Sequence, residues 1–207
     1  MSSDLFITGT DTGVGKTLLS SLLLANLNCK YWKPIQTGAC EGTDRETVMK
    51  WAEIPAEDTF CEAYIFDPPV SPHLAARQQG ITIQLEEIRR PMTPDAIVIE
   101  GAGGVLVPIN NGASMLDLMR QLAAPVVVAA RTALGTINHT LLTLLAIRQA
   151  KLSLRGVVMI GKDNVENRLA IERYGDVPVI GSIPWLETID RETLRRVFER
   201  HFDRNAL

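Results

Sequence analysis

The chain is poor in cysteine. Cys29, Cys40 and Cys61 are its only three in 207 residues, and no two form a CxxC pair. That excludes a disulfide framework and gives no zinc-ligand spacing, which fits a reducing, cytoplasmic setting. Charge of one sign is not in excess either: 21 Lys and Arg face 24 Asp and Glu, for a net charge of −3. Nothing in that balance attracts nucleic acid or an anionic membrane surface. No long apolar run is present. The stretch Leu18–Leu27 is broken by Ser20, Ser21 and Asn26 and is too short to cross a bilayer. At the N-terminus Asp4 stands where a signal peptide needs positive charge, and Asp11 and Lys16 interrupt the apolar stretch behind it. Repeats and low-complexity linkers are absent.

What the chain does have is alternation. Short β-branched or apolar runs at Leu5–Thr8, Lys30–Lys33, Ala96–Glu100, Val126–Ala130, Val157–Ile160 and Val177–Ile180 read as strands. Helical patterns lie between them at Lys16–Leu27, Thr43–Glu53, Pro72–Gln79, Gln84–Arg90, Met115–Ala123, Asn138–Lys151 and Asn164–Arg173. Three prolines make Asp67–His73 a structured loop. Strands that are almost continuously apolar are buried on both faces. The pattern therefore predicts an α/β fold, a predominantly parallel sheet with helices on both faces, with residues 1–207 forming one P-loop NTPase-like domain. Ligands of such sheets bind at the carboxyl ends of the strands, so the loops after Thr8, Lys33, Glu100 and Ala130 should converge.

The first of those loops, Gly9-Thr10-Asp11-Thr12-Gly13-Val14-Gly15-Lys16-Thr17, lies between a strand and a helix. A glycine turn there points backbone N–H groups at phosphate oxygens, and the helix N-terminus adds its partial positive charge. Gly13, Val14 and Gly15 supply the cradle, Lys16 a cation for the β- and γ-phosphates, and the Thr17 hydroxyl a ligand for Mg²⁺. The match to the common pattern is not literal. Thr10 occupies the place of the first glycine, and Gly9 is one residue further back. A dinucleotide-binding reading fails because Leu18 replaces its last glycine. The spacing resembles the variant P-loops of ATPases that work as dimers, yet Asp11 stands where many of those carry a lysine. That departure argues against the partition and cell-division-site ATPases.

Taken with the segments that follow it, the loop resembles the first motif of the dethiobiotin synthetases. Lys33-Pro34-Ile35-Gln36-Thr37-Gly38 is similar to their second motif and Glu100-Gly101-Ala102-Gly103-Gly104 to their third. Ser71-Pro72-His73, Asn138-His139 and Ile183-Pro184-Trp185 fall in order where that family has similar segments, so the resemblance spans essentially the whole chain. It implies an ATP-dependent ligase of biotin biosynthesis that captures CO2 on 7,8-diaminopelargonic acid as a carbamate. ATP phosphorylates the carbamate, and the second amine then closes the ureido ring. It further implies that Lys16 and Lys33 cradle the carbamate and the transferring phosphate, and that Thr12 and Thr37 hydrogen-bond the substrate. Thr17, Asp44 and Glu100 would hold Mg²⁺. Gly103, in a glycine loop 101–104, would face the substrate, and Pro184 the nucleotide. A homodimer is implied too, with the loop Leu134–Asn138 reaching the partner's substrate carboxylate through Asn138.

Residue chemistry alone weighs these positions unequally. Glu100 ends an apolar strand, where an unpaired buried carboxylate is costly and a cation partner is the economical explanation. Lys33 could be a solvated strand end, and Asp44 could simply cap a helix. His73 and His139 lack the pairing of a metal site and read as capping or packing residues, His201 as surface, and Cys40 as without chemistry. Leu194, Val197, Phe198 and Phe202 make an apolar stripe that a membrane-surface helix would share. Acidic residues interleave with its arginines, which favours packing on the domain itself. The rival readings are a nucleotide-driven positioning ATPase and a related amide-forming ligase such as a cobyrinic acid amide synthase. The family often has asparagine where this chain has Ile160, which predicts loose selectivity for the base.

Overall fold

The computed structural model describes residues 4–206. Seven strands make one sheet: β1 (Leu5–Gly9), β2 (Lys30–Trp32), β4 (Thr59–Phe60), β6 (Ile97–Gly104), β7 (Val126–Arg131), β8 (Leu154–Ile160) and β9 (Val179–Ile183). Their order is β4-β2-β6-β1-β7-β8-β9, and every neighbouring pair is parallel. Two further strands, β3 (Ile35–Thr37) and β5 (Tyr64–Phe66), pair in parallel as a small separate sheet.

The α-helices among the described residues are α1 (Lys16–Asn26), α2 (Asp44–Ala52), α3 (Pro72–Gln78), α4 (Met115–Leu122), α5 (Thr136–Gln149), α6 (Val165–Gly175) and α7 (Arg191–His201). They cover both faces of the large sheet, and the apolar strand runs resolve into two alternating sets. Phe6, Ile97, Ile99, Val126, Val128, Val157 and Met159 pack with Met115 and Met119 of α4, Leu144 and Ile147 of α5, and Ile171 of α6. Leu5, Ile7, Val98, Val127, Ala129 and Val158 point the other way, onto Leu19, Leu22 and Leu23 of α1, Val48 of α2, and Leu194 and Phe198 of α7. Burying both sets is what a continuously apolar parallel strand requires. The stripe on α7 is thus spent on the core, with Leu194 and Phe198 fully buried. No helix among the described residues is long and apolar enough to cross a membrane.

Several boundaries differ from the sequence expectation. The third glycine motif is not a loop. β6 runs on through Gly104, which pairs with Gly9 of β1 beyond a register shift. Small residues there let two backbones approach closely, so the ladder continues where composition suggests a turn. Gln84–Arg90 holds only one 3-10 turn, Leu85–Glu87, although Ile88 is buried and Leu85 packs on the core; Pro91 directly behind it disfavours helix at Arg90. The segment Leu134–Asn138 is not all loop either: the left-handed Gly135 starts α5, which places Asn138 in its first turn. β8 begins at Leu154 and β9 at Val179, earlier and later than the apolar runs suggest.

From β1 the chain passes by α1 to β2, on one side, whereas β6 and β7 flank β1 on opposite sides. The carboxyl end of β1 is therefore a topological switch point, where an α/β sheet opens its crevice.

Candidate active site

The loop after β1 wraps this crevice and feeds straight into α1. Gly15 caps the helix at φ 103 with no side-chain cap and no acidic residue in the first turn, so the free N–H groups and the dipole remain available to an anion. A Cβ at Gly15 would lie 2.8 Å from Cδ1 of Ile160, and its positive φ already disfavours any other residue. Gly9 is needed for a different reason, close approach: a Cβ there would meet Val14 Cγ2 at 2.6 Å. The loop is tied at its edge. Arg131, ending β7, donates from Nη2 to the Thr12 carbonyl at 2.9 Å, and the Thr12 N–H donates to Asp11 Oδ1 at 2.7 Å.

Strand periodicity then assembles the charged groups. Tyr31 of β2 and Val98 of β6 are register partners and face α1. Two residues on, with side chains alternating across the strand, Lys33 and Glu100 come to the same face. Helix α1 presents Thr17 and, one turn later, Ser20 toward them. Glu100 Oε1 accepts from Thr17 Oγ1 at 2.9 Å and from Lys33 Nζ at 3.3 Å. Its Oε2 accepts from Ser20 Oγ at 2.7 Å and from the Tyr31 hydroxyl at 3.1 Å. Asp44, opening α2 behind the capping box of Thr43 and Glu46, pairs with Lys33 through Oδ2 and lies 2.7 Å from Thr17 Oγ1 through Oδ1. The cap of α2 is thus Thr43 rather than Asp44, whose carboxylate is turned to Lys33 and Thr17 instead.

The electrostatics follow from burial. Lys33 and Glu100 are 5% and 1% exposed, where isolated charges would be prohibitive and each holds the other. Burial alone would lower the Lys33 ammonium, but Glu100 and Asp44 outweigh it and raise its pKa. Burial likewise pushes the Asp44 carboxyl up, and Lys33 and Thr17 bring it below its ordinary value. Among the described residues no carboxylate lies at hydrogen-bond distance from Lys16; its Nζ donates to the Asp11 carbonyl at 3.2 Å. Burial therefore lowers it to about 8, with Lys33 adding repulsion against the attraction of Glu100 and Asp44. Burial first, then the Glu100 charge, raises the Tyr31 phenol well above its usual range.

A cavity of about 350 Å³ opens over these groups, bounded by Lys16, Thr17, Lys33, Thr37, Glu100 and Gly103. It adjoins a second of about 470 Å³ that shares Thr12, Thr37, Asp44 and Gly103 with it and extends to Glu41 and Ser71. The structure thus brings together Thr12, Lys16, Thr17, Lys33, Thr37, Asp44, Glu100 and Gly103. Gly13 lines the same cavity, while the Val14 side chain turns into the core.

Pro184 and Asn138 lie elsewhere. Pro184 follows β9 and borders a hollow of about 190 Å³ with Gly161, Asp163 and His201, beside the end of β8. Asn138 and His139 are exposed on α5, and His139 borders an apolar hollow with Leu106 and Leu142. His73 stays local, its Nδ1 3.1 Å from Ser71 Oγ, and Cys40 donates to the Asp67 carbonyl. Four contributors escape the sequence reading: Ser20, Tyr31, Arg131, and Gln36, whose Oε1 accepts the Asp44 N–H at 3.1 Å. The i, i+3 spacing of Thr17 and Ser20 and the i, i+2 spacing of Tyr31 and Lys33 are the signals that point to two of them.

A family model described as an AAA domain matches residues 3–193. The ATP-dependent dethiobiotin synthetase of Rhodopseudomonas palustris is 42% identical over 203 residues, covering 98% of this chain and 95% of that protein. The chain belongs to the dethiobiotin synthetase family. The ATP-dependent dethiobiotin synthetase of Paramagnetospirillum magneticum is 48% identical over 189 residues, 91% of each chain. The biotin biosynthesis bifunctional protein of Bordetella avium is 45% identical over 190 residues, 91% of this chain but 41% of that larger protein. Among solved structures, a ParA family ATPase from Chlorobium tepidum superposes with TM-score 0.57 at 9% identity, covering 96% of this chain and 92% of that one. A chain of the MinC:MinD cell division protein complex from Aquifex aeolicus gives 0.54 at 16%, covering 94% and 86%. These last two likenesses are of fold. Dethiobiotin synthetases are ATP-dependent enzymes, and this chain is related to them along nearly its whole length.

Proposed function

We propose that this dethiobiotin synthetase joins CO2 to 7,8-diaminopelargonic acid and closes the ureido ring with ATP. The observation that carries the reading is the convergence of Lys16 and Lys33 on one cavity beside the helix N-terminus, with a second cavity continuing past Thr12 and Thr37. The triphosphate lies against the N–H groups of Gly13–Thr17, and Lys16 neutralises its terminal phosphates. One amine of the substrate adds to CO2 and loses a proton, giving a carbamate. Lys33 and the hydroxyls of Thr12 and Thr37 hold that anion in line with the γ-phosphorus. A carbamate oxygen bonds to phosphorus as the bond to ADP breaks. The second amine then attacks the carbamoyl carbon, phosphate leaves with its electron pair, and the ring closes with loss of a proton. Positioning and charge neutralisation account for most of what the protein contributes.

The residues present fit Mg²⁺. The Thr17 hydroxyl has one proton and lies within hydrogen-bond distance of two carboxylates, Asp44 and Glu100. That surplus of oxygen lone pairs is the donor set of a hard cation. Thr17, Asp44 and Glu100 would hold the ion, which supplies charge neutralisation on the phosphates.

We read the working form as a cytoplasmic homodimer of one-domain subunits. Leu106 and Leu142 are exposed around the hollow near Asn138, an apolar face that suits a second copy, and Asn138 would reach the partner's substrate there. The decisive test is isotopic. With MgATP, the diamine and ¹³C-bicarbonate, the product should be dethiobiotin one mass unit heavy. Folded protein that consumes ATP without forming labelled dethiobiotin would refute the assignment.

A further inference from the structure

We propose that Tyr31 and Ser20 are positioning residues that hold Glu100 Oε2 and so aim Oε1 at the cation site. This rests on the reading of Glu100 as a metal-facing carboxylate.

All three side chains are buried, Tyr31 and Ser20 with no exposure at all. In such a place the packing needs of β2 would be met by phenylalanine, and a hydroxyl is tolerated only with a partner. The Tyr31 hydroxyl finds Glu100 Oε2 at 3.1 Å and Ser20 Oγ finds the same oxygen at 2.7 Å. Each hydroxyl has a single proton to give, and both give it to one oxygen. The terminal torsion of a glutamate is broad and nearly two-fold, so a lone carboxylate would turn and exchange its oxygens. Two donors from different elements, β2 and α1, stop that rotation. The oxygen left over, Oε1, faces Thr17 Oγ1 and Lys33 Nζ, so the carboxylate presents one defined oxygen to the cavity. Loss of a partner of this kind, behind a metal ligand, typically costs about 10- to 100-fold in metal affinity or activity.

The test measures metal binding apart from turnover. Free Mn²⁺ is followed by electron paramagnetic resonance in the presence of ADP, for wild type, Tyr31→Phe, Ser20→Ala and Glu100→Gln. Tyr31→Phe should bind Mn²⁺ roughly 10-fold more weakly, within the range typical of an orienting partner, while its affinity for metal-free ADP stays that of wild type. Ser20→Ala should show a loss of similar size, and it decides the matter should Tyr31→Phe not fold. In turnover the KM for Mg²⁺ should rise while kcat at saturating Mg²⁺ is nearly kept. A purely structural role would lower thermal stability and leave Mn²⁺ affinity unchanged. The inference is overturned when Glu100→Gln loses Mn²⁺ but the folded hydroxyl variants bind it like wild type. Equal binding by Glu100→Gln and wild type would instead refute the metal-facing role of Glu100 itself.

Discussion

Replacing Lys16 by methionine should make the nucleotide-free protein more stable at neutral pH while destroying its affinity for ATP. The pKa of Lys16 falls from the ordinary 10.5 to about 8 on folding. At about 1.4 kcal/mol for each tenfold change in proton affinity, the charged lysine costs the folded state roughly 3 kcal/mol at pH 7. Methionine keeps the buried stem but loses the hydrogen bond from Nζ to the Asp11 carbonyl, which is about 1 kcal/mol in the other direction. The net expectation is a gain of about 2 kcal/mol. The sign has a pH signature. Between about 8 and 10.5 the unfolded chain binds the Lys16 proton and the folded protein does not, so wild-type stability rises through that window relative to the variant. Urea unfolding followed by circular dichroism, in phosphate-free buffer at pH 7 and pH 9.5, should show the advantage of the variant at pH 7 and its loss at pH 9.5. A variant less stable than wild type at pH 7, or a difference that does not move with pH, would contradict the reasoning.

Other expectations follow from the same loop and its neighbours. Gly15→Ala places a Cβ at φ 103 and 2.8 Å from Ile160 Cδ1, so it should lose about 1–3 kcal/mol in urea unfolding and more than tenfold in ATP affinity by calorimetry. Wild-type behaviour would mean that the helix cap does not need its left-handed turn. Base selectivity should be loose, because Ile160 offers an aliphatic side chain where the family often has an amide. Comparable turnover with ATP, CTP and GTP would support this, and strict dependence on ATP would count against it.

Apart from its two-residue edge strand β4, Thr59–Phe60, the large sheet was legible because most of its strands are nearly continuous apolar runs, and a parallel sheet buried on both faces is the outcome such runs favour. The small sheet was not. Ile35–Thr37 is only three residues long, follows a proline and has a single apolar residue, and its partner Tyr64–Phe66 lies beyond a helix and another strand. That pairing is tertiary, with no local signal. β6 overran its predicted end for a related reason: glycine reads as a turn locally, and Gly103 does take a left-handed φ of 67, yet the ladder with β1 resumes beyond that irregularity at Gly104. In the site, residues with distinctive chemistry in motif-like settings, Lys16, Thr17, Lys33 and Glu100, could be named in advance. Tyr31 and Ser20 had only their spacing from Lys33 and Thr17 to mark them, since a tyrosine in a strand and a serine in a helix mean packing and polarity until the sheet brings Glu100 between them. Asn138 shows the converse. Its motif is clear, but it lies exposed on α5 and lines neither cavity of the site.

The central claim, that this chain is a ring-closing ligase working through two lysines, is tested most directly by phosphate release. With MgATP and bicarbonate, release should depend on added 7,8-diaminopelargonic acid, and Lys16→Ala and Lys33→Ala should each abolish it. Well-folded protein that releases no phosphate in response to the diamine would contradict the assignment. A Lys33→Ala variant that keeps most of its activity would contradict the two-lysine site.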